Sequence, residues 1–263
     1  GYEDPFLAVR EPFQMWGIQG DESLKERLPF VKAGLPGVFV TPDVTPYKKR
    51  KVRILNGAHT AFVPGSWVAG FDIVRDCMHD ETIRGFMNTM LYDEVIPTLA
   101  ADLDVEDCKA FTAAVENRFD NPFIDHALLS ICLNSTAKWR ARDLPTLKDY
   151  VAETGNLPKC LSTSLATLIA FYTQELVARE GDGLHLRRAD GTEYTAQDDA
   201  FVLDFYAAHA CVEDAELVHD VLTNEQMWGE DLTQIAGLEE FVVNTLAIVR
   251  AEGVKQAFAN AQA

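Results

Sequence analysis

The sequence predicts a mainly α chain with a short α/β stretch at its N-terminus. Three observations carry that prediction. From residue 46 onward, apolar residues recur near a 3.6-residue period in ten successive segments. Breaks containing Pro, Gly or Asn separate most of them. Residues 1–45 instead hold two short runs rich in aromatic and β-branched residues, PFQMWGIQG and GVFVTPDV, bounded by Pro and Gly.

In chain order, those two runs read as strands, with ESLKERLPFVKAG between them as a short helix or loop. The stretch as a whole reads as the edge of a mixed α/β unit. Thr45 is a candidate N-cap, and Pro46 fits the first helical turn. Helices are predicted over 46–63, 66–76, 80–98, 105–118, 122–139, 144–152, 161–178, 198–206, 213–222 and 238–260. The breaks are PGS at 64–66, FDNP at 119–122, ETGNLP at 153–158 and EGDGLHLRRADGTEY at 180–194, the last read as a loop or small hairpin.

The bulk composition is that of a globular protein, with 48% hydrophobic and 24% charged residues among 263. Net charge is −18, unevenly spread: residues 1–60 carry +2 and the remainder −20. An acidic body argues against a nucleic-acid partner, because phosphate neutralisation needs Lys and Arg. The basic run Lys48-Lys49-Arg50-Lys51 with Arg53 is either a solvated helix start or a patch for an anionic substrate or cofactor phosphate. Five well-separated cysteines (Cys77, Cys108, Cys132, Cys160, Cys211) with no CxxC pair suggest reduced thiols and a cytoplasmic protein. There is no apolar run of membrane-spanning length. GYEDPFLAV has neither the basic nor the apolar region of a signal peptide and no initiator Met, so the chain is expected to begin inside a larger unit.

Two clusters point to chemistry. Placed on an α-helix, KVRILNGAHT puts Lys51 at 0°, Asn56 at about 140° and His59 at about 80°, in one arc shared with Val52, Leu55 and Phe62. One reading is a buried network of polar groups that satisfy one another. The other is a reaction site. A desolvated lysine serves as general base, an amide donates to a developing alkoxide, and an imidazole fixes a neighbouring hydroxyl. That set suits oxidation of a secondary alcohol to a ketone. Gly57 weakens the helix unless a ligand or another chain segment approaches its bare backbone. The second cluster is His126, Ser130, Asn134 and Lys138, which recur every fourth residue and would form one ridge if 122–139 were a continuous helix. It is either a solvated face or a surface for a polyhydroxylated ligand. Arg140 and Arg142 at its end suit a carboxylate. No HExxH, paired His or GxSxG supports a metal or serine-hydrolase reading.

The spacing Lys51-x4-Asn56-x2-His59 resembles the catalytic signature of the mannitol dehydrogenase family of long-chain polyol and sugar-acid dehydrogenases. Glu94 and Pro97 in LYDEVIPTL, Arg118-Phe119-x-Asn121-Pro122 and Lys138 fit the same pattern. YKKRKVRILNGAHTAFVP, LSICLNSTAKWRAR and WGEDLTQIAGL look closest to its tagaturonate reductase (altronate oxidoreductase) branch. The resemblance implies a multi-helical C-terminal substrate domain, like that of 6-phosphogluconate dehydrogenase, over 46–263. Residues 1–45 would be the tail of an N-terminal Rossmann domain. It implies Lys51 as general base, Asn56 in an oxyanion-stabilising pair, and His59 and Lys138 as substrate contacts. Polyol members carry Arg and Asp where this chain has Ser130 and Asn134, which points to a sugar acid, with Arg140 or Arg142 on its carboxylate. The implied cofactor is NAD, bound mainly outside this chain, since the chain has no GxGxxG and AGLPG at 33–37 is in the wrong context. No metal is implied, and this chain alone is expected to be inactive. The partners implied are the substrate and the protein's own Rossmann domain, with no membrane. Fructuronate reductase, a mannitol-type polyol dehydrogenase and a non-catalytic helical module are the alternatives.

Overall fold

The structure is a computed structural model that describes Asp4 and residues 14–263. The signal-peptide reading of 1–9 and the start of PFQMWGIQG therefore fall, apart from Asp4, outside the described residues. Contacts divide the chain into two units, Gly1–Lys49 and Arg50–Ala263.

In the first unit, β1 (Trp16–Gln19) pairs in parallel with β2 (Val38–Thr41). A parallel pair needs a crossover, and α1 (Glu22–Arg27) and α2 (Pro29–Lys32) provide it. Asp21 caps α1 by accepting from Ser23 N–H at 2.8 Å. AGLPG is the turn from α2 into β2, with Gly34 and Gly37 at φ +68° and +75°. A side chain at Gly37 would collide with Gln14 O. A glycine turn that enters a strand does not make a phosphate cradle, which opens a helix instead. This small βααβ piece fits a remnant of a Rossmann half. The helix α3 (Thr45–Arg50) comes next.

The second unit is helical. Its centre is α12 (Lys159–Tyr172), with 13 of 14 residues buried, so it is enclosed on all sides. The long pair α4 (Gly57–Val68) and α16 (Leu238–Glu252) packs on it, as does α17 (Val254–Ala261). Helices α5 (Val74–His79), α6 (Glu81–Thr89), α7 (Ile96–Leu99) and α8 (Val105–Phe119) form one flank. Further along come α9 (Leu128–Ile131), α10 (Ser135–Arg142) and α11 (Leu144–Thr154), then α13 (Ala200–Ala208), α14 (Asp214–Leu222) and α15 (Glu225–Trp228). Two π-helical segments interrupt the α-pattern, Lys51–Asn56 before α4 and Met90–Val95 between α6 and α7.

The second π-segment holds Glu94, which is 5% exposed. Its carboxylate oxygens accept from the N–H groups of Cys160 at 2.7 Å and Leu161 at 2.9 Å, so it caps the first turn of the central helix. Burial pushes its pKa up to about 7, against the pull of those two hydrogen bonds.

Several predicted boundaries are corrected. The break at PGS is absent, because α4 runs through Pro64. Tertiary packing decides there: a methyl group at Gly65 would stand 2.7 Å from Phe258 and 3.0 Å from Thr167, so the helix is clamped by α17 and α12. The helix ends instead before Gly70, at φ +97°, which also splits the predicted 66–76 segment. The predicted 161–178 helix stops at Tyr172. Beyond it the chain forms a three-stranded antiparallel sheet of β3 (Glu175–Glu180), β4 (Gly183–Arg187) and β5 (Glu193–Ala196), rather than a loop or single hairpin. Gly181 and Gly191, at φ +53° and +88°, make its turns. Period-2 pairs Leu184/Leu186 and Tyr194/Ala196 bury its inner face. Gly253, at φ +90°, divides the predicted 238–260 helix into α16 and α17. The predicted 122–139 helix begins only at Leu128 and is then broken at Asn134, the one non-glycine at positive φ (+51°) among the described residues. All five cysteines are free, and four are buried.

Candidate active site

The Lys51-x4-Asn56 motif coincides with the first π-segment. Gly57 N–H reaches back to Val52 O, an i→i−5 bond. Such a wide turn brings residues five apart close to one face, so the α-helical wheel misplaces Asn56 relative to Lys51. Bonds of this type recur at functional sites. Arg53 ties the segment to α11, donating to Thr146 Oγ1 at 2.6 Å and Asp149 at 3.0 Å. Arg50 lies over the Phe111 ring at 4.7 Å and meets Asp107 at 3.4 Å. These two members of the basic run are therefore structural anchors.

His59 sits one turn into α4. Its ring stacks on Phe119, the last residue of α8, at 4.0 Å, and meets the His126 ring edge-on at 5.5 Å. Its Nε2 is sealed from solvent and has no hydrogen-bond partner. Burial, then the neighbouring His126, Arg142, Arg118 and Lys138, hold its pKa down at about 3. The imidazole is therefore neutral across the physiological range.

Lys138 and Arg142 stand one turn apart on α10 and face this histidine. Lys138 is half-buried, and its Nζ donates to Ile131 O at 2.9 Å. Burial, then the neighbouring Arg142, hold its pKa below the usual lysine value. Arg142 donates to Thr60 Oγ1 at 2.9 Å and to Asn56 O at 3.4 Å, and Thr60 Oγ1 donates to the same Asn56 carbonyl at 3.0 Å. This fastens the end of the π-segment to α10. The Asn56 side-chain amide is half-buried and makes no hydrogen bond among the described residues. Beneath it, Asp143 Oδ1 lies 2.8 Å from where a Cβ on Gly57 would stand, which explains the glycine.

The structure thus brings Asn56, His59, Lys138 and Arg142 together. It departs from the sequence reading elsewhere. Lys51 is exposed, so the residues of this unit do not supply the desolvation expected for it. Ser130 and Asn134 are also exposed. Ser130 Oγ is spent on Ala127 O at 2.7 Å, and Asn134 sits at the break between α9 and α10, so the four-residue ridge is not continuous. Arg140 projects to another side of α10, against Gly229, in a cleft with Lys148, Glu230 and Trp228. It is not part of the His59 cluster, because residues two apart on a helix face away from each other. Phe119, Thr60 and Asp143 were not singled out as site residues from sequence. The Arg-Phe-x-Asn-Pro motif was the available signal for Phe119. Nothing local marked the other two. Among the described residues, no group of His, Cys, Asp and Glu is placed to hold a metal ion.

The mannitol dehydrogenase C-terminal domain family model matches residues 43–249, and the chain belongs to that family. Its curated relatives include altronate oxidoreductases from Yersinia enterocolitica (40% identical over 98% of this chain and 52% of the relative) and Escherichia coli (41% over 98% and 51%). The chain therefore spans about half the length of these relatives. Among solved structures it is similar to Pseudomonas fluorescens mannitol 2-dehydrogenase in ternary complex with NAD and D-mannitol. The TM-score is 0.72 at 22% identity, over 86% of this chain and 42% of that one. A substrate-free D-sorbitol dehydrogenase gives a TM-score of 0.69 at 20% identity, over 88% and 43%. These likenesses confirm the fold.

Proposed function

We propose that this chain is the substrate-binding half of an NAD-linked oxidoreductase that interconverts D-altronate and D-tagaturonate. The observation that carries the sugar-acid reading is the charge around His59. In a chain of net charge −18, Arg142, Arg118 and Lys138 all act on that one imidazole. A neutral polyol gains little from such a concentration of positive charge, whereas a carboxylate gains charge-assisted hydrogen bonds.

In this reading, residues 1–45 are the tail of a dinucleotide-binding domain and 46–263 the substrate domain. NAD is held mainly by the other half of the longer protein and supplies the hydride acceptor there, in keeping with the lack of a GxGxxG motif in this sequence. Lys51 takes the proton from the reacting hydroxyl as the carbonyl forms. Its ammonium is solvated in this unit, so the desolvation that suits a base comes from substrate, cofactor and the remaining half. Asn56 donates its free amide to the developing alkoxide. His59, neutral, bonds a neighbouring hydroxyl through its imidazole. Lys138 and Arg142 flank the carboxylate end, while Ser130 and Asn134 line the outer rim. The reading places the protein in the cytoplasm, and among the described residues no helix is long and apolar enough to cross a membrane.

The test is an NAD- and NADP-linked assay of the full-length protein against a panel of hexonates, hexuronates and polyols. Highest kcat/KM on altronate and tagaturonate is expected, with little or no turnover by residues 1–263 alone. Preference for a neutral polyol, or robust activity of this chain alone, would overturn the reading.

A further inference from the structure

Asp143 joins α10 to α11 and is 2% exposed. Its backbone is satisfied: N–H to Trp139 O at 2.9 Å, and C=O from Leu147 N–H at 2.9 Å. Its side chain is not, because Oδ2 has no hydrogen-bond partner. Oδ1 lies against Gly57, where an added methyl group would stand 2.8 Å away. The charges of two guanidiniums, those of Arg142 and Arg53, act on the carboxyl. Neither is hydrogen-bonded to it. Arg142 is turned to Thr60 Oγ1 and the Asn56 carbonyl, and Arg53 to Thr146 and Asp149.

An ionised carboxylate in that position would draw both arginines inward. Arg142 would leave the Asn56 carbonyl, Arg53 would leave α11, and the positive charge around His59 would be partly cancelled. Burial pushes the carboxyl well above the usual carboxylate range, against the pull of the two arginines, and both arginines instead brace the π-turn.

We propose that Asp143 is a positioning residue: its carboxyl, seated on the bare face of Gly57 and unbonded to either arginine, sets the π-turn that presents Asn56 and His59 to substrate. This rests on the functional reading above. A positioning role acts on the step in which the Asn56 amide meets developing charge, so it shows in kcat more than in KM.

A double-mutant cycle in the full-length protein tests it. Gly57→Ala drives a methyl group into Oδ1 and is expected to lower kcat at least about tenfold, with KM for altronate within about threefold. Asp143→Ala is expected to lower kcat as well. The pair Gly57→Ala/Asp143→Ala is expected to be no worse than the poorer single variant, because the new methyl group occupies the vacated space. Asp143→Asn, equal in size and uncharged, is expected to rescue kcat relative to Asp143→Ala. Losses that multiply in the double variant, or an Asn variant as impaired as the Ala variant, would overturn the proposal. Melting temperatures of residues 1–263 carrying the same substitutions need no substrate. Additive shifts there sink the contact between positions 57 and 143 whatever the activity. Non-additive shifts, with a full-length wild type inactive on every sugar acid, sink the oxidoreductase reading and the catalytic half of this inference with it.

Discussion

Replacing Glu94 by Gln removes a buried charge from beneath the central helix without changing the side chain's size. The wild-type carboxyl is 5% exposed, and burial raises its pKa from 4.5 to about 7. The folded chain therefore holds this proton more tightly than the unfolded chain between those two values. Stability contributed by the group is full below pH 4.5 and is lost as pH rises through 7. Between pH 5 and pH 8 the shift corresponds to about 2–3 kcal/mol. Glu94→Gln lacks the titration. It also turns an NH2 group toward one of the two N–H donors at Cys160 and Leu161, which adds a pH-independent loss of about 1–3 kcal/mol. Urea unfolding of both proteins at pH 5 and pH 8 separates the two effects. The variant is expected to be less stable at pH 5 and to close most of that gap at pH 8. Parallel pH dependences in the two proteins would refute the account of a strained carboxylate cap.

Four further outcomes are expected. His59→Phe keeps the stack on Phe119 and removes an unpartnered buried nitrogen, so it should abolish turnover while raising stability by up to about 1 kcal/mol, read by denaturant melts. Because its pKa lies at about 3, the wild-type His59 ring should show no NMR titration between pH 5 and 8. Lys51→Ala should cut kcat by about 10²–10⁴ in the full-length protein and leave the melting temperature of residues 1–263 nearly unchanged, since the side chain is exposed there. Asn134→Ala should cost about 1 kcal/mol and Asn134→Gly none, by thermal melts, because the backbone there is left-handed at φ +51°.

Most helices were legible because an apolar stripe at a 3.6-residue period is a local signal. The errors fall where distant contacts decide. Pro64 and Gly65 look like a break until Phe258 and Thr167 are seen to clamp them. The strand Glu175–Glu180 comes after an apolar helix closely enough to read as its continuation. The π-turn is a matter of hydrogen-bond register, which residue identity does not declare. In the candidate site, Asn56, His59 and Lys138 were legible from polar groups set among apolar ones. The bond from Arg142 to Thr60 spans 82 residues, so its role depends on how α10 packs on α4. Lys51 was expected to be enclosed, and the described unit leaves it open.

The central claim is that positive charge gathered around His59 selects a carboxylate-bearing substrate. The most direct measurement compares kcat/KM of the full-length protein for altronate and for the matching neutral polyol, with Lys138 intact and with Lys138→Met. The account predicts a wild-type preference for altronate of at least about tenfold that largely disappears in the variant, because KM rises for the acid alone. An equal loss on both substrates, or an unchanged ratio, would contradict it.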